Sequence, residues 1–208
     1  LIGYYWKKHS AGEAAKKAHA EAQVRARQAA AIAWDAQPIS TARLSAEIWA
    51  QIKDLDWSLV ASSGNVSNWP NRLWPMEKHY HWLGASGGYG VGYGAPASVG
   101  AALANRDLGR FSVSIQSDGD LMYDAGALWV AAKHRIPMLV VMFNNRAYYN
   151  DWEHQIRMAK LRSTPLERAY IGMDLDDPAP DFAAMAKSMG WYAEGPIEKP
   201  GELAAALT

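Results

Sequence analysis

The sequence predicts an α/β fold, a three-layer, doubly wound, mostly parallel sheet with helices on both faces. Three observations predict it. Phe111 to Gln116 is a short, apolar-alternating run rich in β-branched residues, Met122 to His134 has helical periodicity through Leu128, Val130 and Ala131, and Pro137 to Phe143 is a continuous apolar run of strand length. Strand, crossover helix and strand in that order form a βαβ unit, which builds parallel sheets whose ligands sit at the carboxyl ends of the strands. Asp118 and Asn145 fall just past two such ends.

The remaining elements follow in order. Leu1 to His9 is aromatic and apolar and reads as the tail of a preceding domain. Ser10 to Trp34 is Ala-rich with mixed charges, and Ser10 stands three residues before Glu13 in a capping-box pattern, so a solvated connecting helix is expected. Asp35 to Ser40, with Pro38, is the break, giving a linker over 1–37 and a domain over 38–208. Ser40 to Lys53 reads as an amphipathic helix and Trp57 to Ala61 as a strand. Val66 to Leu83 is a long loop whose His79 and His81 lack companions for a metal site, which favours packing or substrate-lining roles. The glycine-dense segment Gly84 to Pro96 follows, with a helix from Pro96 through Ala104. After Asn145 come a helix over Tyr148 to Lys160, an acidic, proline-containing loop over Thr164 to Pro180, and a helix capped by Asp181 and ended by Gly190. A strand is expected to begin at Trp191, and Gly201 to Thr208 reads as a helix without a C-cap, so the chain reads as a piece of a longer polypeptide.

Composition narrows the function classes. The 21 basic and 21 acidic residues cancel, half of the residues are hydrophobic, and mean hydropathy is −0.25. With no basic run there is no electrostatic case for nucleic acid or an anionic membrane, and no apolar run approaches spanning length. The absence of cysteine excludes disulfides and thiolate metal sites and fits a cytoplasmic location.

The chemistry that suits the two strand ends is magnesium holding a diphosphate. Mg²⁺ takes an octahedron of oxygens, commonly few carboxylates completed by neutral carbonyls, water and phosphate. Asp118 offers the charge, Asn145 a neutral amide oxygen, and the turn carbonyl of Ala147 a third protein ligand. Taken singly, Asp118-Gly119 and Asn144-Asn145 are ordinary turn formers; their joint spacing across two strands favours the clamp.

At these residues a resemblance appears. Asp118-Gly119, the interval, and a strand ending Asn144-Asn145 resemble the cofactor motif of the thiamine diphosphate enzyme superfamily that includes acetolactate synthase, benzoylformate decarboxylase and pyruvate decarboxylase. The resemblance implies the C-terminal, diphosphate-binding domain, with Mg²⁺ on Asp118, Asn145 and Ala147. It also implies that Gly119, Asp120, Asn145 and the Asn65 side chain lie at the cofactor, that Val91 is wedged beneath it, and that the Tyr89 carbonyl and Val91 amide meet its aminopyrimidine. Asn65 reads equally as part of a Gly64-Asn65 turn. Two positions depart from the pattern: Ser117 replaces the usual glycine, and Asp120 puts an anion near the diphosphate, so it is expected to turn away or meet a cation such as Arg146. Asp151 matches the place where some family decarboxylases carry an active-site acid, a proton relay, or is simply a first-turn acid favoured by the helix dipole.

The implied activity is C–C cleavage, decarboxylation or carboligation on a 2-keto acid or related small-molecule carbonyl substrate, acetolactate synthase-like, or alternatively a 2-hydroxyacyl- or oxalyl-coenzyme A lyase. Family sites also need a pyrimidine-binding domain, expected from a missing N-terminal part or another subunit of a homodimer or tetramer. A rival from a different class remains: Gly90 to Ala95 fits G-x-G-x-x-A, as in an NAD-binding Rossmann oxidoreductase, although Tyr80 to Ser86 is a poor preceding strand and Asn144-Asn145 has no role in that scheme.

Overall fold

The computed structural model describes residues 2–62, 68–84 and 91–208. These divide into two compact units: one holds residues 2–51, 68–75 and 197–208, the other residues 52–62, 76–84 and 91–196. The expected boundary near residue 38 falls within the first unit.

The first unit is helical. Helix α1 spans Ile2–Ala31 and takes in both the expected apolar tail and Ser10, which lies inside the helix and therefore cannot cap it. Its exposed charged positions contrast with Ala26 and Ala30, which are buried one turn apart and let another backbone approach closely. Helix α2, Thr41–Ile52, starts where Ser40 Oγ accepts the Arg43 amide at 3.2 Å, an N-terminal capping bond. Arg43 then ties the preceding break to the helix, pairing with Asp35 at 2.6 Å and Glu47 at 3.2 Å while lying over the Trp34 ring. The long loop contains a short helix, α3, Trp69–Leu73, and the following Trp74 is buried with its indole N–H donated to the Ser45 carbonyl at 2.8 Å.

The second unit carries a three-stranded parallel sheet in the order β1-β2-β3. Strand β1 is Trp57–Ser62, β2 is Phe111–Ser117 and β3 is Leu139–Phe143. Pro137, which has no N–H to give a ladder, stands outside the last of these. Register runs from Trp57 opposite Phe111 on one side to Ser117 opposite Phe143 on the other. Helix α4, Gly94–Arg106, packs on β1 and β2, with Pro96 in its first turn. The expected single crossover helix is two: α5, Asp118–Tyr123, and α6, Gly126–Lys133, separated where Asp124 leaves helical geometry at φ −149° and ψ 57°. An apolar core of Val99, Ala102, Leu121, Leu128, Ala131 and Ile136 joins α4, α5 and α6.

One face of β2 is polar and still buried. Ser112 meets Asn105 of α4 at 3.1 Å, Ser114 meets Ser98 at 2.7 Å, and Gln116 donates to Ser114 at 2.7 Å. Hydrogen bonds therefore help to fix the seating of α4 on the central strand.

Helix α7 spans Tyr149–Leu161, α8 Phe182–Ser188 and α9 Pro200–Ala206, the last lying in the first unit. The strand expected from Trp191 does not form. Trp191 instead donates its indole N–H to the Leu128 carbonyl at 2.7 Å and packs on the core, so its side chain is used for tertiary anchoring. At the amino end of the sheet Asp56 accepts from Tyr80 at 2.6 Å and Lys78 at 3.0 Å, with Arg110 over the Tyr80 ring; those bonds lower its pKa to about 2. Among the described residues no helix is long and apolar enough to cross a membrane.

Asp181 caps α8 as expected, accepting the Ala184 amide at 2.8 Å. Replacing Asp181 with Ala is expected to lower the unfolding free energy by about 1 kcal/mol, read as a shift of the urea midpoint at unchanged slope.

Candidate functional site

Parallel pairing brings the proposed ligands to one edge. Because Ser117 lies opposite Phe143, Asp118 and the Asn144-Asn145 pair leave neighbouring strands at the same end of the sheet. Asp118 is fully buried, and among the described residues neither carboxylate oxygen has a hydrogen-bond partner of good geometry. Burial raises its pKa by penalising the charged form; the amides of Gly119, Arg146 and Ala147 approach closely enough to offset part of that penalty without forming well-aligned bonds. A buried anion whose nearby donors are poorly aligned is costly, and a bound cation would relieve that cost.

Across the edge, two consecutive turns are closed by side chains. Asn144 Oδ1 accepts the Arg146 amide at 3.0 Å and Asn145 Oδ1 accepts the Ala147 amide at 3.1 Å. Arg146 adopts φ 57°, Ala147 is buried, and the segment is pinned by an antiparallel bridge from Ala147 to Asp174. Asn145 is exposed, and its Oδ1 retains a lone pair beyond the turn bond. Among the described residues no three His, Asp or Glu side chains converge as a metal cluster, so a cation here would rest on one carboxylate and neutral oxygens. That donor set fits Mg²⁺, which commonly takes one or two carboxylates and leaves the rest to water and phosphate.

Gly119 is packed under an aromatic ring: a Cβ there would stand 2.7 Å from Tyr148. Tyr148 itself has its phenol pKa raised, first by desolvation and then by Tyr123 and Asp118. Sequence reasoning passed over Tyr148; the adjacency of Gly119 to an acid was the signal that something needed close approach.

Asp120 does not meet Arg146. Its Oδ1 accepts the Gly92 amide at 2.8 Å and its Oδ2 the Gly94 amide at 3.2 Å, while Arg146 pairs with Asp176 at 3.3 Å. Val91 is 64% exposed, ahead of that turn. Asp151 is an exposed residue in the first turn of α7. Asn65 and Tyr89 lie outside the described residues. His81 is buried, stacks on Trp57 at 4.1 Å and receives the Glu77 and Lys78 amides on Nδ1, a packing role, whereas exposed His79 packs edge-on against Tyr80.

Residues 62–208 match the family described as thiamine pyrophosphate enzyme, C-terminal TPP binding domain. The chain belongs to that family, whose members are enzymes using thiamine pyrophosphate, also called thiamine diphosphate. IlvX of Mycobacterium tuberculosis, described as a candidate acetolactate synthase large subunit, is 35% identical over 111 residues, 53% of this chain and 21% of that protein. The acetolactate synthase isozyme 1 large subunit of Escherichia coli K12 is 34% identical over 90 residues, 43% of this chain and 16% of that protein. Among solved structures, the thiamine diphosphate-dependent 4-hydroxybenzoylformate decarboxylase of Rhodococcus jostii RHA1 superposes with a TM-score of 0.68 at 26% identity, over 83% of this chain and 30% of that one. The chain thus spans at most 21% of the length of these two curated relatives. Membership displaces the dinucleotide reading of Gly90 to Ala95, and Trp82 makes only an isolated bridge to Leu59 where that reading needs a strand.

The electrostatics of Asp118 give a signed prediction. With its folded pKa raised above the ordinary 3.8, the folded state binds this proton more tightly than the unfolded chain, so the charging penalty grows as pH rises and disappears below 3.8. In chelator, Asp118→Asn is expected to raise the urea midpoint at pH 7, and the gain should shrink steadily as pH falls through the carboxylate range. An equal gain at pH 7 and pH 4 would contradict the assignment.

Proposed function

We propose that residues 38–208 form the diphosphate- and metal-binding part of a thiamine diphosphate- and Mg²⁺-dependent enzyme acting on a 2-keto acid or related carbonyl compound. The observation that carries it is the buried Asp118 carboxylate, unpartnered at the edge where Asn145 leaves the next strand. In this reading Asp118, the Asn145 side-chain oxygen and the Ala147 carbonyl would hold Mg²⁺, which would supply positive charge for the diphosphate. Gly119, with no side chain between the backbone and Tyr148, keeps the first turn after β2 close to that diphosphate. The cofactor, when bound, supplies a nucleophilic thiazolium carbon for breaking or forming bonds beside a carbonyl.

The chain's own residues have narrower tasks. Asp118 neutralises the cation and fixes its place; the Asn144 and Asn145 turns preset the loop, so little ordering remains on binding. Asp151, one turn beyond the metal loop, would carry a proton to or from the bound substrate. The named relatives support the substrate class: benzoylformates are 2-keto acids, and acetolactate synthesis is carboligation. A pyrimidine-binding domain, from flanking polypeptide or another subunit of a dimer or tetramer, completes the site in this reading.

Calorimetric titration with thiamine diphosphate and Mg²⁺, with NAD in parallel, tests the proposal. Magnesium-dependent binding is expected, abolished by Asp118→Ala and weakened roughly tenfold or more, about 1.4 kcal/mol, by Asn145→Ala. Binding of NAD without any response to thiamine diphosphate would overturn it. In the assembled enzyme, Asp151→Asn is expected to slow turnover while cofactor affinity stays nearly intact; unchanged turnover removes Asp151 from the mechanism.

A further inference from the structure

Asp120 sits two residues beyond Asp118 and is bound in the opposite way. Both of its oxygens are occupied, by the Gly92 amide at 2.8 Å and the Gly94 amide at 3.2 Å. Hydrogen bonds to an ionised acceptor are roughly twice as strong as neutral ones, and here two of them converge on alternate residues of one turn. The turn is built for that approach. Gly92 adopts φ 75°, and a Cβ at Gly94 would collide with the Asp120 carboxylate and with Gln116. Gln116 is in turn held by Ser114 at 2.7 Å, and Ser98, which bonds Ser114, donates to the Gly94 carbonyl at 2.7 Å. The carboxylate thus ties down the amide side of the turn while Ser98 and Gln116 support it from below.

Val91 precedes this turn and is 64% exposed, so its own packing does little to hold it. We infer that Asp120 is a positioning residue whose carboxylate closes the Gly92–Gly94 turn and thereby fixes Val91 at the carboxyl edge of the sheet, without itself contacting a cofactor phosphate. The functional half of this inference rests on the thiamine diphosphate reading above; the clamp itself does not. An anion pointed at a diphosphate would repel it, whereas a carboxylate saturated by two backbone donors is held away. Serine or alanine at 120 could not span both amides, since neither presents two acceptor oxygens. Asparagine keeps one acceptor but turns an NH₂ donor toward the other N–H.

The test separates the clamp from the cofactor. Amide hydrogen exchange is followed by NMR in the 208-residue chain with chelator, for wild type, Asp120→Asn, Asp120→Ala and Asp118→Asn, with Val113 and Ile115 of β2 as internal references. Measured relative to the β2 amides, which report any global change in stability, Asp120→Ala should speed exchange at both Gly92 and Gly94 by about tenfold or more, Asp120→Asn at one of them, and Asp118→Asn at neither. Unchanged exchange at Gly92 and Gly94 in Asp120→Ala, against steady references, overturns the clamp. If the Ala variant fails to fold, the Asn variant, isosteric with Asp, decides the question: unchanged exchange at both glycines there overturns the clamp equally.

The second arm compares two probes, magnesium pyrophosphate and magnesium thiamine diphosphate. Asp120→Ala is expected to weaken thiamine diphosphate about tenfold, roughly 1.4 kcal/mol, and to leave pyrophosphate affinity within about twofold. Parallel changes for both probes would make Asp120 a phosphate contact and overturn the positioning role. Failure of the wild type to bind either probe would count against the functional reading alone, and the exchange result would still decide the clamp.

Discussion

Everything at the candidate site depends on β2 being paired in parallel on both sides. A strand in that position has its ladder satisfied by β1 and β3, and its side chains from Ser112 to Gln116 are all buried. Parallel register then delivers Asp118 and Asn145 to one edge, because the strands that precede them point the same way and end opposite each other at Ser117 and Phe143. An antiparallel partner would have sent the Asn pair to the far end. The charge of Asp118 is tolerable only in that context. It sits where backbone amides gather from α5 and from the turn after β3.

The two acids of the first turn of α5 divide labour by what surrounds them. Asp118 faces into the protein with no aligned donor, so its charge remains available to a ligand at a cost to the unliganded fold. Asp120, half-buried and facing the glycine turn, spends both oxygens on backbone N–H groups. One residue type, two positions apart, is buried without an aligned donor in the first case and accepts two backbone amides in the second. Which one it becomes depends on donors more than 20 positions distant in sequence: the Gly92 and Gly94 amides for Asp120, and the Arg146 and Ala147 amides near Asp118.

That distance explains what the sequence made legible. The three strands and the helices α2, α4 and α7 were readable because apolar periodicity and turn residues report local geometry, and Asp118 with Asn145 was readable because both abut such runs. The break at Asp124 was hidden, since Leu121 and Leu128 keep a nearly continuous apolar stripe across it. Trp191 was misread for a related reason: an aromatic residue after a glycine stop looks like a strand start, yet here the indole anchors to the Leu128 carbonyl. The closure of Tyr148 over Gly119 and of Asp120 on the glycine turn involves tertiary partners that no local pattern announces.

The polar face between α4 and β2 has a consequence for how this domain can change over evolutionary time. Asn105 pairs with Ser112, and Ser98, Ser114 and the Gln116 amide nitrogen form a separate chain, both away from water, so an apolar replacement at one residue strands its own partners. Conversion of the whole layer to hydrocarbon, by contrast, is compatible with a well-packed interface. Single steps through this layer are therefore disfavoured while concerted ones are open, and across an alignment Asn105 and Ser112 should drift as one pair and Ser98, Ser114 and Gln116 as another group.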